Sequence, residues 1–444
     1  MEPINWEAHT DEAIHHLRAL LRIDTTNPPG NETLAAAYLA EVLQSEGIES
    51  AIVGHAPRRG NLVARLKGSG EAPPLLLMGH IDVVPAEPEH WTHPPFAGEI
   101  ADGHIWGRGA LDMKSMVISE LMVMLALKRQ GVQLARDVIY AACADEEVSG
   151  LGMRYLVREH PDLIRAEYAI NEGGGVMQWV AGKPVYPIQA GEKGVCWTRV
   201  QMRGTPGHAA VPKDNNAVVK LTQLLAKMRP LPQHVPATVR AYVEGLAQVI
   251  GGEVAASPAL LLEPAQAQKH LEKDVAALLH AITRNTATPT GLKAGYKTNV
   301  VPSEAQATLD CRFLPGFDRE SFLDELRAAF PQDLAQDAEL EVEEYAPALE
   351  APYESPLYRL MKTTIEALHP GATAVPYLVA GATDAKWVQP LGIKVYGFAP
   401  LRFYEEGATS QGVHGHDERI PIDGFAFGLR ALYTVVRDFV CARP

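Results

Sequence analysis

The segment LLLMGHIDVVP, residues 75–85, delivers His80 and Asp82 to the end of an apolar run. The same layout recurs along the chain. Glu146 and Glu147 end DVIYAACADEE, Glu172 ends AEYAINEGG, and Asp112 follows WGRGAL at the start of an apolar helical stretch. If the runs are neighbouring strands of an open parallel sheet, their carboxyl ends converge on one crevice. Left unpaired there, the carboxylates would repel one another and resist ionisation. Divalent cations remove the repulsion, and mixed histidine and carboxylate donors suit zinc, with cobalt or manganese in its place. One carboxylate can bridge two such ions about 3.5–4 Å apart, and Asp112, between the other donors, is the expected bridge.

On that reading His80 ligates one ion and Asp82 holds its other ring nitrogen. Glu146 and Glu147, adjacent in an extended stretch, point to opposite sides. One of the two would ligate, and the other would take a proton from the attacking water. The set lacks a second histidine, and GVHGHDER offers His414 or His416. Each motif alone has an ordinary explanation as a turn, a surface loop or a hydrogen-bonded pair. Their joint occurrence on consecutive strand ends outweighs those explanations.

The elements that must position these groups follow from patterning. Residues 7–22 and 31–46 read as amphipathic helices around the turn-rich DTTNPPGN. NLVARLKG and PPLLLMGHIDVV read as strands, 112–130 as a largely buried helix, DVIYAACADEE as a strand, 150–160 as a helix and AEYAINEGG as a strand. This alternation predicts an α/β fold, a mostly parallel sheet flanked by helices on both faces. From Gly191 the texture changes. GVCWTRVQMRG and EAQATLDCRFL alternate like half-exposed strands, with helices expected at 215–229 and 259–285, while 240–258 shows no clear period. An inserted α+β domain over 192–314 is therefore predicted, between two parts of a catalytic domain at 1–191 and 315–444. Helices at 319–330, 355–368 and 424–442 belong to the second part.

The bulk properties agree with two soluble domains. The chain has 444 residues, 47% of them hydrophobic and 21% charged, too long for one ordinary core. A formal charge of −14 argues against a nucleic-acid surface. Cys143, Cys196, Cys311 and Cys441 follow neither disulfide-scaffold nor metal spacing and suit a reducing compartment. The acidic start MEPINWEAHTDEAIHHLRALL lacks a signal-peptide layout, and SMVISELMVMLALK is interrupted by Glu120 and too short to span a bilayer. A cytoplasmic protein with no membrane partner is the expectation. No GxSxG is present and no cysteine has a nucleophile's context.

In these blocks, together with DTTNPPGNE, GTPGHAA, TNVVPSEAQATLDCR and GATDA, the chain resembles the M20 family of metal-dependent peptidases and amidohydrolases, from Asp24 to an HxxxE at His414. The resemblance implies two zinc ions, one held by His80, Asp112 and Glu172 and the other by Asp112, Glu147 and His414. Glu146 would be the general acid/base. The HxxxE pattern, with Glu418 four residues on, selects His414 over His416. A zinc-peptidase-like catalytic domain with an inserted lid that makes a homodimer is implied. In GTPGHAA, His208 would reach the partner subunit's site and polarise the scissile carbonyl. Asn299 and Arg312 would contact substrate, often its carboxylate, and Gly381 of GATDA would line the pocket. Where many relatives carry arginine after GATDA this chain has Lys386, a point charge rather than a bidentate fork. The implied reaction is hydrolysis of the amide bond of a small N-acyl amino acid or short peptide, of aminoacylase or carboxypeptidase type. A dipeptidase or a biosynthetic deacylase (acetylornithine or succinyl-diaminopimelate type) is the alternative. A non-catalytic binding protein is the remote one, since every catalytic block is present.

Overall fold

The computed structural model of the protein describes residues 4–403 and 412–441. Its larger sheet has ten strands. At the centre, Val138–Cys143, Leu75–His80, Tyr168–Asn171 and Lys394–Gly397 lie side by side and parallel. Ser50–Gly54 and Gly60–Leu66 extend one side antiparallel, and Lys183–Glu192, with Thr373–Val379 parallel to it, builds the other. The four central strands are buried on both faces, as their near-continuous apolar sequence requires. Helix Lys114–Arg129 is buried at every position from Lys114 to Leu127, and its preceding Met113 sits so close to the sheet that a Cβ on Gly79 would lie 2.6 Å from the Met113 thiomethyl carbon. No helix among the described residues is long and apolar enough to cross a membrane.

A second, four-stranded sheet runs in the order Thr286–Ala294, Glu304–Phe313, Gly194–Arg203, Ala338–Ala346, all antiparallel. Strand Glu304–Phe313 alternates strictly. Ala305, Ala307, Leu309, Cys311 and Phe313 face a core shared with helices Ala217–Lys227 and Arg319–Ala329. The predicted boundary at 314 therefore cuts through this unit, because helix Arg319–Ala329 and strand Ala338–Ala346 belong to it. AELEVEEYA, absent from the predicted elements, alternates over its first six residues as a half-exposed strand does and pairs along Gly194–Arg203.

The region without a clear period, 240–258, forms helix Ala237–Ile250 and the short helix Gly252–Ala256. Residues 259–285 are not one helix. Pro258 and Pro264 each start a new short segment, as a residue without an N–H does best at a first turn. This helical block packs on the larger sheet, where Val239, Tyr242, Val243 and Leu246 share a core with Val375 and Leu378 of strand Thr373–Val379. The segment inserted between the strands of the small sheet thus returns to the catalytic layer. Gly245 marks the contact, since a Cβ there would lie 2.5 Å from Val375 Cγ1. In a free helix Gly→Ala gains about 1 kcal/mol. At this close approach we expect Gly245→Ala to lower the melting temperature instead, and a raised one would show that helix and strand do not meet in solution.

Candidate metal centre and cleft

The carboxyl ends of the parallel strands do converge. His80 is paired with Cys143 in register, and the segments that follow bring Asp112, Glu146, Glu147, Glu172 and His414 around one cleft. His80 Nε2 lies 3.1 Å from Asp112 Oδ1 and 3.7 Å from Glu172 Oε1. His414 Nε2 lies 3.2 Å from Asp112 Oδ2 and 3.1 Å from Glu147 Oε2. Within each of the groups His80–Asp112–Glu172 and Asp112–Glu147–His414, one ligand atom per residue lies within 4.8 Å of the others. Asp112 presents one oxygen to each histidine. His416 instead points to the rim, 3.0 Å from Glu87 Oε2.

The donor set fits a pair of cations. Glu147 Oε1 is buried with no hydrogen-bond partner among the described residues, and the electrostatics of the cluster favour added positive charge. Burial, then the field of Glu172, pushes Glu146 well above the usual carboxylate range. Burial and the field of Asp112 do the same to Glu172. Burial opposes charge on His80, but Glu172, Asp112 and Asp82 outweigh it and lift the imidazole well above its ordinary value. Bonds to Asp112 and Glu147 raise His414 to about 10. Bound cations would favour the ionised carboxylates and the neutral imidazoles.

Asp82 does something other than expected. His80 Nδ1 is 3.0 Å from the Asp82 backbone carbonyl and 3.6 Å from its carboxylate. A carbonyl only accepts, so Nδ1 carries the hydrogen and the Nε2 lone pair of the neutral ring faces Asp112 and Glu172. The Asp82 carboxylate instead accepts the backbone N–H groups of Glu146 (3.1 Å) and Glu147 (3.2 Å) and the side-chain amide of Asn27 (2.8 Å). Glu146 and Glu147 are not in an extended stretch. The strand stops at Cys143, and Asp145 is left-handed at φ 70°, so the two carboxyls leave a turn. Asn27, Arg59, Ser149 and the Leu151 N–H all bond the Asp145 carboxylate and hold that conformation.

His208, Asn299 and Arg312 are not among the residues lining the cleft. His208 and Asn299 are exposed on the smaller unit, where His208 Nδ1 accepts the Ala210 N–H at 3.1 Å. Arg312 makes a two-point pair with Asp310. Gly381 does line the cleft, but Lys386 does not, lying with its ammonium 5.1 Å from the Trp387 ring centroid.

Some residues of consequence have a role that no motif assigns: Glu418 only marks the HxxxE, Asp384 only lies within GATDA, and Glu192 belongs to neither. Glu418 is fully buried. Its Oε1 accepts the N–H groups of Leu111 (2.7 Å) and Asp112 (3.0 Å), and its Oε2 accepts the Gly109 N–H (3.0 Å) and Arg108 Nη1 (2.7 Å). Arg108 Nη2 in turn donates to the carbonyls of His414 and Gly415. The pair thus binds the Asp112 loop to the His414 loop. Asp384 is buried, neither of its oxygens has a hydrogen-bond partner among the described residues, and burial raises it to about 7. Glu192, an acid ending a strand like the others, was open to the same reading as Glu172. We expect Glu418→Gln, which puts an NH2 against backbone N–H donors, to weaken metal binding by about 10–100-fold. Competition with a chromophoric chelator would measure it, and unchanged affinity would contradict this role.

The wall beside the carboxylates is apolar. Leu111, Val176, Pro187, Tyr377, Val379 and Ala399 line a cleft of about 380 Å³, with Gln178 and Thr383 as its neutral polar groups. No lysine or arginine among the described residues lines it.

Comparison with known proteins agrees with this geometry. The sequence pattern of peptidase family M20/M25/M40 matches residues 76–438. The chain is 29% identical over 394 residues to the probable carboxypeptidase S-like 2 of Dictyostelium discoideum, covering 85% of this chain and 74% of that protein. It is 28% identical over 375 residues to the human N-fatty-acyl-amino acid synthase/hydrolase PM20D1, covering 82% and 74%. Its fold is similar to the crystal structure of the M20 family metallo-carboxypeptidase Sso-CP2 of Sulfolobus solfataricus, with a TM-score of 0.71, 18% identity and coverage of 96% and 98%. The chain belongs to peptidase family M20/M25/M40 and is a metal-dependent hydrolase.

Proposed function

We propose that the protein hydrolyses the amide bond of small N-acyl amino acids whose acyl group is apolar, releasing the amino acid with its carboxylate free. The observation that carries this reading is a site with two three-residue donor groups sharing Asp112, set against an apolar wall. His80, Asp112 and Glu172 would hold one divalent cation, and Asp112, Glu147 and His414 the other, with zinc suited to these donors and cobalt or manganese as substitutes. Such a pair, when bound, supplies Lewis acidity and lowers the pKa of water.

The protein's own part begins with Glu146, the cleft carboxyl that belongs to neither donor group. It accepts the proton of the attacking water and returns it to the leaving nitrogen. Asp82 sets its position by holding its N–H. The wall from Val176 to Ala399 receives the acyl chain and excludes water. A dipeptide brings a free ammonium that this wall does not complement, which favours the acyl substrate, as does the activity named for the human relative. His208, exposed on the small unit and outside its own cleft, suits a homodimer in which it reaches the partner subunit's site with Asn299 beside it. Arg312, at the other end of its strand, is a further candidate contact for the substrate carboxylate.

The test is product mass spectrometry with zinc-loaded protein on a panel of N-acetyl, long-chain N-acyl and free-amine dipeptide substrates. We expect cleavage of N-acyl amino acids, with the longer apolar chains preferred, and a loss of about 10²–10⁴ in kcat for Glu146→Gln. Cleavage of the dipeptides alone would overturn the substrate reading. Mixing Glu146→Gln with His208→Ala protein should restore activity if one site uses both subunits; no recovery after subunit exchange contradicts the shared site.

A further inference from the structure

Glu192 and Lys193 stand where the chain first leaves the large sheet for the small one. Both are buried, with 1% of their surface exposed. Their bonds run in opposite directions. The Glu192 carboxylate accepts the Thr383 N–H (2.7 Å) and hydroxyl (2.8 Å) and the Gln189 amide (3.1 Å). Thr383 lines the cleft, and its hydroxyl oxygen accepts the Asn171 amide at 3.0 Å, next to Glu172 in sequence. Lys193 Nζ donates to the Ala281 carbonyl (3.0 Å), the Arg284 carbonyl (2.9 Å) and the Thr286 hydroxyl (3.1 Å). These three acceptors belong to the segment that re-enters the small sheet from the helical block.

The other passages between the units are tied to the same place. Leu349, on the final return, pairs with Glu192. Gln233 bridges Arg284, and the His234 N–H donates to the Thr283 carbonyl at 2.8 Å. The Lys193 N–H donates to the carbonyl of Val379, on the cleft wall. A buried ammonium with no carboxylate partner is costly, and burial with the fields of Arg312 and Arg284 lowers Lys193 to about 7. A methionine would fill the same space without that cost. What the ammonium adds is direction, because its three acceptors admit one orientation of the crossing segment.

We propose that Glu192 and Lys193 form a coupling pair through which the attitude of the small sheet sets the position of the Gly381–Thr383 cleft loop. Lys193 fixes the re-entering segment, Glu192 fixes the loop, and their adjacency on one strand end makes the two move together. Lys193 is thus a positioning residue for substrate binding. Only the kinetic part of its test rests on the hydrolase reading above.

The experiment compares metal-loaded, full-length wild-type protein with Lys193→Met and Glu192→Gln, by amide hydrogen exchange over 279–288 and 379–386 and by hydrolysis of an N-acyl amino acid. Lys193→Met should speed exchange in both segments and raise KM about tenfold with kcat within about threefold, the split expected of lost binding rather than lost chemistry. Glu192→Gln should show the reciprocal spread from the cleft loop to 279–288. Faster exchange confined to the segment each residue touches, with KM unchanged for Lys193→Met, would overturn the coupling. If Lys193→Met does not fold, Thr286→Val removes one acceptor and should give the same two-segment pattern at smaller amplitude; a response in 279–288 alone overturns it. Wild-type protein that cleaves no substrate refutes the hydrolase reading, while the exchange data still decide the coupling.

Discussion

Mutual repulsion among buried carboxylates is the constraint around which this protein is built. Asp112, Glu146, Glu147 and Glu172 share one cleft with Asp384 buried behind them. Burial and neighbouring carboxylates hold Glu146 and Glu172 back from ionising, while for Asp112 burial is outweighed by its bonds to His414 and His80. Two histidines alone do not neutralise so much charge. The proton affinities of Glu146 and Glu172 are raised by burial and neighbouring carboxylates, and that of His414 by its bonds to Asp112 and Glu147. Such a site persists only if the backbone around it is held by other means.

Two further acids provide that hold, and neither meets a ring nitrogen through its carboxylate within hydrogen-bonding distance. Asp82 gathers the N–H groups of Glu146 and Glu147, and Glu418 gathers those of Gly109, Leu111 and Asp112. Backbone donors satisfy a buried carboxylate while fixing the loops that carry the candidate ligands. Arg108 closes the second system, and left without Glu418 it would be an uncompensated buried charge, a loss of about 3–5 kcal/mol. Asp145 and His414 both sit at positive φ, 70° and 59°. Side chains rarely adopt that region unless their surroundings fix it; Asp145 adjoins the cluster and His414 belongs to it.

The smaller unit is joined to this site through a few buried polar contacts. Its four strands carry their own core, and the helical block inserted between them packs on the large sheet. The passages between units meet at Glu192 and Lys193, so the junction lies one hydrogen bond from the cleft loop. The apolar wall beside the carboxylates draws on both halves of the catalytic chain, from Val176 and Pro187 to Tyr377, Val379 and Ala399.

The sequence by itself determined the parallel core and the identity of the clustered groups. Both are written in local pattern: apolar runs long enough for a strand, each ending in a histidine or acid, and motif blocks at the spacings a metal site needs. The resemblance to the M20 family, through the acid four residues on, selects His414 over His416 as the candidate ligand. Tertiary structure decided what depends on partners remote in the chain. Asp82 turned from a histidine's companion into the anchor of the Glu146–Glu147 turn, because N–H donors more than sixty residues away are invisible to local pattern. The reach of the small unit past residue 314 and the return of 237–282 to the large sheet were hidden for the same reason. A strand such as AELEVEEYA, whose alternation is local but whose partner is not, and an amphipathic helix with no stated partner, acquire their places only from the surfaces they cover.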